Sequence, residues 1–148
     1  MKASDKCLKM LAHHEGVRQK PYKCPAGLWT VGVGHLIGDG KSLPDSWNRT
    51  FSLEEVYAIL AKDVERFERG VERYITIPLK QGEFDAIISF AFNLGLGTLQ
   101  KSTLRQKLNR GDKEGAIESL LKYNKAGGKI LKGLDNRRKD EAALFLSK

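Results

Sequence analysis

The stretch of sequence that decides the fold reads Glu15-Gly16-Val17-Arg18-Gln19-Lys20-Pro21-Tyr22-Lys23-Cys24-Pro25-Ala26-Gly27-Leu28-Trp29-Thr30-Val31-Gly32-Val33-Gly34-His35. The residues before it, from about Ala3 to His14, carry apolar side chains at helical spacing, and Gly16 is a typical helix terminator. Within the stretch, short aromatic and β-branched runs are separated by proline and glycine, which predicts short strands joined by tight turns. One carboxylic acid, Glu15, is therefore expected at a helix end directly before a small sheet.

A long amphipathic helix is predicted next. Ser52 followed by Glu55 forms a capping box, and apolar residues recur on one helical face from Leu53 to Tyr74. Pro78 ends this helical pattern. A helix of that length in a small protein suits a rod that connects two lobes.

The rest of the chain reads as a helical lobe. The segment Phe84–Leu94 is apolar nearly all round, which predicts a buried central helix. Shorter helices are expected over 103–110, 113–123 and about 135–146, with a flexible basic loop at 126–129. The fold class is therefore α+β and mostly helical. We expect a single domain over 1–148, with a small β lobe at about 15–55, a connecting helix at about 53–74, and a helical lobe at about 75–148 that also includes the first helix.

The net charge of +8 is unevenly spread along the 148 residues. Residues 101–148 hold 13 Lys and Arg against 6 Asp and Glu, a balance of +7, whereas residues 1–100 hold 13 against 12. A basic C-terminal third suggests an anionic partner: nucleic acid, an anionic membrane surface, or an acidic polymer such as a bacterial wall. An ordinary solvated face explains the same charge.

Several function classes find no support in the sequence. No apolar run approaches the roughly 20 residues of a membrane span, and Met1–Leu11 lacks the apolar core of a signal peptide, so neither is expected. Cys7 and Cys24 are too few for a disulfide scaffold and show no zinc spacing. A phosphate-binding loop needs a glycine where His35 stands. We therefore expect neither a metal nor another cofactor.

The residues around Glu15 suit hydrolysis of a glycosidic bond. A carboxyl held partly out of water keeps its proton near neutral pH, as a general acid requires. The predicted hairpin turns the chain so that Cys24 and Thr30 return toward this acid, and a single acid facing a polar pair is an arrangement found in glycoside hydrolysis. The plainer interpretation is a solvated helix-end glutamate, a small buried cysteine and an ordinary strand threonine.

The spacing Glu15-x8-Cys24-x5-Thr30 resembles the catalytic signature of the phage-type lysozymes (endolysins), in which the middle position is Asp or, in a subset, Cys. The resemblance extends over nearly the whole chain. It includes residues 31–35, the segment Ser89–Gly95, and C-terminal blocks at 102–112, 126–129 and 133–138.

This resemblance implies a muramidase that cleaves the β-1,4 bond between N-acetylmuramic acid and N-acetylglucosamine. Glu15 would be the general acid, and Cys24 and Thr30 would position the attacking water. The resemblance also implies three supporting residues: Asn93 at the substrate cleft, His35 as a structural residue behind the site, and Arg137 as an ionic partner of Glu15.

The same resemblance implies peptidoglycan as the partner, a monomer, no stable membrane insertion and no bound nucleic acid. The protein would accumulate in the host cytoplasm and leave through a holin pore, and it would then act on the cell wall from the periplasm.

Four alternatives remain open from sequence. A lytic transglycosylase needs only one acid, and Glu15 alone supplies it. A basic nucleic-acid-binding protein explains the charge of residues 101–148 but leaves the Glu15 segment without a role. A module that binds the wall without cleaving it is the third. The fourth is a disulfide between Cys7 and Cys24 that blocks the site under oxidising conditions.

Overall fold

The structure is a computed structural model, and it describes residues 1–147. Within that range the chain forms helices, five short strands and one 3-10 turn at Asp45–Trp47. The helices are α1 (Asp5–Glu15), α2 (Leu53–Tyr74), α3 (Gln81–Leu94), α4 (Leu96–Lys101), α5 (Thr103–Asn109), α6 (Lys113–Leu121) and α7 (Lys132–Leu146). The strands are β1 (Arg18–Lys23), β2 (Trp29–Gly32), β3 (His35–Leu36), β4 (Lys125–Ala126) and β5 (Lys129–Ile130). The fold is thus mostly helical α+β with a small antiparallel sheet, as predicted.

Two compact units make up the chain. One consists of Leu8–Glu65, and the other of Met1–Cys7 together with Arg66 and the residues after it. The first unit holds the sheet β1-β2-β3, whose register pairs Tyr22 with Thr30 and Val31 with His35. Its core consists of buried apolar side chains from α1, the sheet, the segments that connect these elements and the first half of α2: Leu11, Val31, Val33, Ile37, Phe51, Val56, Leu60 and Val64.

The second unit is built around α3. From Glu83 to Ala91 every residue of this helix is buried, because α4 and α7 pack against it. Helices α5 and α6 form an adjacent pair. The prediction of a central buried helix in this part of the chain is confirmed.

The local helix signals predicted from the sequence are present. Ser52 Oγ accepts the Glu55 backbone N–H at 3.1 Å, and Glu55 Oε1 accepts the Ser52 N–H at 3.0 Å, so α2 begins with the expected capping box. Ser102 and Asp112 cap α5 and α6, each accepting a backbone N–H from the first turn. These bonds join residues at most three positions apart, which is why the sequence alone predicts them.

Three sequence predictions in the helical part were wrong in detail. The helix α4 was not predicted; it packs against α3 and buries Leu99. The segment 126–129 is the turn of the β4–β5 hairpin, not a flexible loop: Gly127 and Gly128 have φ of +58° and +77°, the pair of left-handed residues that a tight two-residue turn requires. Helix α7 begins at Lys132, three residues before the predicted start at Asp135.

Among the described residues, no helix combines the length and the apolar character that crossing a membrane requires.

Candidate active site

Glu15 is the last residue of α1, and it is exposed. The helix ends there because Gly16 adopts φ +84°, a left-handed conformation that glycine enters without steric cost, while its N–H bonds to the Ala12 carbonyl at 2.9 Å. The chain leaves the helix and enters β1 at Arg18. A helix terminator therefore sets the position of the acid relative to the sheet in the same unit.

Cys24 and Thr30 lie on the hairpin that joins β1 to β2. Gly27, with φ +78°, allows a tight turn in which its N–H bonds to the Cys24 carbonyl at 2.7 Å, and the Cys24 N–H bonds to the Leu28 carbonyl at 2.9 Å. Thr30 stands opposite Tyr22 in the register. Because side chains alternate along a strand, Cys24, two residues beyond Tyr22, shares the face of Thr30. The return of Cys24 and Thr30 toward Glu15 stays a prediction.

Both side chains interact with Leu28. The Leu28 backbone N–H lowers the pKa of the Cys24 thiol below its ordinary value, and the Ala26 N–H acts in the same direction. Thr30 is only 5% exposed, and its Oγ1 donates to the Leu28 carbonyl at 2.9 Å. Because that hydroxyl has one hydrogen, its remaining capacity is that of an acceptor.

Both cysteines are free thiols, so the structure contains no disulfide between them. Cys7 is fully buried, and its Sγ donates to the Asp85 carbonyl at 3.5 Å. Burial, with the nearby Asp85 carboxylate, raises the pKa of Cys7 far above its ordinary value. The reactive thiol is therefore Cys24.

His35 lies on the other face of the sheet, because it pairs with Val31, the neighbour of Thr30. Its Nδ1 is 2.8 Å from Asp63 Oδ2, and its ring stacks on Trp47 with the centroids 5.6 Å apart. Asp63 belongs to α2, 28 residues along the chain, and sequence reasoning missed it. No local signal marks such a pair.

A cavity of about 360 Å³ lies near Trp47. At this cavity Arg49 and Glu55 form a two-pronged ion pair, which lowers the pKa of Glu55 to about 2. The lining residues are Ser46, Trp47, Arg49, Phe51, Glu55, Ala58 and Ile59.

In the second unit, Asn93 belongs to a buried polar cluster. Arg138 Nη2 donates to Asn93 Oδ1 at 2.8 Å, while Arg138 Nε lies 2.7 Å from Glu141 Oε1. Ser89 Oγ donates to Glu141 Oε2 at 2.5 Å. Burial lowers the pKa of Arg138 and raises that of Glu141, and their mutual attraction opposes both shifts.

Sequence reasoning named Asn93 and missed Arg138 and Glu141. Their spacing on α7, with buried Ala142 and Phe145 beside them, was a usable signal, because a charged pair among buried apolar helix positions is unusual. Arg137, the predicted partner of Glu15, places Nη2 3.3 Å from the Ser89 carbonyl and Nε 3.5 Å from Glu141 Oε2. Its pairing with Glu15 stays a prediction.

The fold, a small antiparallel sheet in one unit and a helical bundle in the other, together with a helix-end glutamate preceding a polar hairpin, defines a lysozyme-like enzyme. Residues 12–141 match the phage lysozyme family. The chain belongs to this family, and it is a peptidoglycan-hydrolysing enzyme of the lysozyme class.

Similar proteins cover the full chain. The endolysin of Acyrthosiphon pisum secondary endosymbiont phage 1 is 39% identical over 99% of both chains. The Bacillus phage B103 endolysin is 38% identical over 99% of this chain, but the match spans only 55% of that protein. A crystal structure of a P22 lysozyme mutant superposes with a TM-score of 0.89 at 33% identity, covering 99% of each chain. A relative named SAR-endolysin, from Bacteriophage PS119, is 39% identical over 89% of this chain and 76% of its own.

Proposed function

We propose that this lysozyme is a phage endolysin that hydrolyses the β-1,4 bond between N-acetylmuramic acid and N-acetylglucosamine during host lysis. The observation that carries the proposal is the hairpin after the helix-end Glu15, in which Cys24 and Thr30 both interact with Leu28. Membership in the phage lysozyme family supports the same reaction.

In this mechanism Glu15 acts as the general acid. It donates its proton to the glycosidic oxygen while the bond from that oxygen to the anomeric carbon breaks. A water molecule then adds to the carbon and releases a proton to solvent. Thr30 Oγ1, whose hydrogen is directed to the Leu28 carbonyl, accepts a hydrogen bond from this water.

Cys24 acts beside Thr30 as a polar group that positions water, not as a nucleophile toward the sugar. The N–H groups that lower its pKa favour negative charge on Sγ, and a negatively charged sulfur accepts a hydrogen bond from water. The family form with Asp at this position has an acceptor there as well, so a thiol with a lowered pKa takes over the acceptor role.

Three residues support the site in this proposal. Asn93 binds the glycan, and Arg137 pairs with Glu15 and holds it in place. His35, fixed by Asp63 and stacked on Trp47, keeps the sheet rigid behind Thr30.

The basic third of the chain, with its balance of +7 over residues 101–148, draws the enzyme to the anionic wall. We propose that it works as a monomer on the host wall from the periplasm. Accumulation in the cytoplasm and release through a holin pore is the proposed route, and the SAR-endolysin names among its relatives identify the competing route.

The test is digestion of purified peptidoglycan, with mass spectrometry of the soluble products. Hydrolysis yields fragments with a reducing N-acetylmuramic acid end. Anhydro-muramic ends identify a lytic transglycosylase, in which Glu15 acts without a positioned water, and they overturn the proposed hydrolysis. Glu15→Gln serves as the matched control, because the amide keeps the shape of the side chain but has no acidic proton to donate. Release of products by this variant at the wild-type rate would remove Glu15 from the mechanism.

A further inference from the structure

The amide of Asn93 has a fixed orientation. A guanidinium group only donates hydrogen bonds, so the atom that Arg138 Nη2 meets at 2.8 Å must be the amide oxygen of Asn93. The Nδ2 end, with its two hydrogens, is then directed away from Arg138. Asn93 is half-buried, so the residue is not sealed within the core.

Arg138 is itself held on several sides. The residue is 0% exposed, and its Nε and Nη2 lie 2.7 and 2.9 Å from the two carboxylate oxygens of Glu141. Its Nη1 donates to the Tyr123 carbonyl at 3.4 Å. Glu141 is also 0% exposed and is fixed by the Ser89 hydroxyl at 2.5 Å. Contacts with Glu141 and Tyr123 thus hold the guanidinium that binds Asn93.

Placing such a charged cluster in a helical core costs free energy. Two fully buried charges lose their hydration, and apolar residues of the same volume often give equal or greater stability. Among the cluster's side chains, those of Ser89, Arg138 and Glu141 are fully buried, whereas Asn93 is half-buried. The buried charges therefore orient the amide of Asn93, which apolar side chains in their place would not do.

We propose that Arg138, held by Glu141, is a positioning residue that makes Asn93 a pure hydrogen-bond donor toward an acceptor oxygen of the glycan. This inference rests on the proposed function. The acceptor is an oxygen of the kind that amino sugars carry, such as an acetamido carbonyl. Asn93 acts on binding of the sugar chain and not on the bond that breaks.

The first test is Asn93→Asp, which keeps the shape of the side chain and the bond from Arg138 but removes both donor hydrogens. We expect the apparent KM on purified peptidoglycan to rise about tenfold, the effect of one lost hydrogen bond, while kcat changes less than twofold. The melting temperature should not fall, since a carboxylate is a stronger acceptor for Arg138. Asn136→Asp, an exposed change of equal charge on α7, is the matched control and should leave KM unchanged.

The second test is Arg138→Lys, alone and combined with Asn93→Asp. An ammonium group lacks the planar fork that holds Glu141 and Asn93 together. We expect KM to rise for the single variant, and Asn93→Asp to raise KM less in this background than in the wild type. If Arg138 only stabilised the fold, Arg138→Lys would lower the melting temperature and the active fraction but leave KM at the wild-type value. Asn93→Asp would then raise KM by the same factor with and without Arg138→Lys.

A wild-type KM for Asn93→Asp overturns the inference, while the activity of the parent enzyme still supports the proposed function. If the parent protein releases no products from peptidoglycan, the proposed function itself fails. The two failures are therefore distinguishable in one set of assays.

Discussion

At the scale of single residues, the proposed water-positioning group is a thiol, Cys24, and not a carboxylate. The turn that closes on Gly27 brings the backbone N–H groups of Ala26 and Leu28 toward Cys24 Sγ. These groups stabilise the thiolate over the thiol. The hairpin therefore compensates in part for the weaker acidity of sulfur.

Replacement of Cys24 tests its role as a water-positioning group. Cys24→Asp should keep most of the lytic rate, because a carboxylate also accepts a hydrogen bond from water. Cys24→Ala should lose at least about tenfold in rate, since general acid–base and positioning groups contribute on the order of 10²–10⁴-fold in enzymes. Initial rates of peptidoglycan clearing check this prediction. A wild-type rate for Cys24→Ala would contradict it.

The lowered pKa of Cys24 predicts selective alkylation by iodoacetamide. Only the thiolate reacts, so a lowered pKa moves the half-maximal rate to a pH below that of an ordinary cysteine. Cys7, buried and with its pKa strongly raised, should stay unmodified in the folded protein. Intact-mass measurements over a pH series check this, with Cys24→Ser as the control that should take up no label. Equal labelling of both cysteines would contradict the prediction.

At the scale of the elements, the end of α1 determines the position of the acid. A Cβ added at Gly16 would meet no other atom within 4 Å, so any cost of a side chain there comes from its φ of +84° and not from crowding. Residues other than glycine adopt that left-handed conformation only at a cost in free energy.

Gly16→Ala should therefore lower the free energy of unfolding by about 1 kcal/mol. The matched control is Gly133→Ala in α7, where a Cβ would also have open space but φ is not positive. There the substitution should raise stability by about 0.5–1 kcal/mol, because alanine is the better helix residue. Urea denaturation at equilibrium measures both. Similar effects of the same sign at the two sites would show that backbone conformation is not the cause.

At the scale of the whole molecule, the distribution of charge predicts an electrostatic attraction between the enzyme and its substrate. The excess of positive charge lies in residues 101–148, and the hairpin β4–β5 within it exposes Lys125 and Lys129. Attraction between exposed charges is screened over about 10 Å at 0.1 M salt and about 3 Å at 1 M.

Peptidoglycan clearing should accordingly slow as salt is raised, through a higher apparent KM. Replacing Lys125 and Lys129 by Gln should reduce this salt dependence. Replacing Lys6 and Lys9, exposed lysines in the nearly balanced first 100 residues, removes the same charge and should reduce it less. Rates at several ionic strengths give the slopes, and identical slopes for the two double variants would show that only net charge matters.

The sequence by itself determined the features that depend on near neighbours in the chain. The helix caps and the turn at Gly27 follow from bonds between residues a few positions apart, and the hydrogen bond from Gly16 to Ala12 sets the helix end that carries Glu15. The hairpin at Gly127-Gly128 was within reach of the same reasoning, because two left-handed glycines form a specific turn.

Only the tertiary structure decided which distant side chains meet. Asp63 reaches His35 across 28 residues, and Arg138 reaches Asn93 across 45. The spacing on α7 marks Arg138 and Glu141 as unusual charges, but no local signal names Asn93 or Asp63 as a partner, because each pairing depends on packing that forms only when the chain folds. For Arg138 the reason is most direct: a guanidinium is driven to bind Glu141 and Asn93 by the loss of water around it, and only the folded core removes that water.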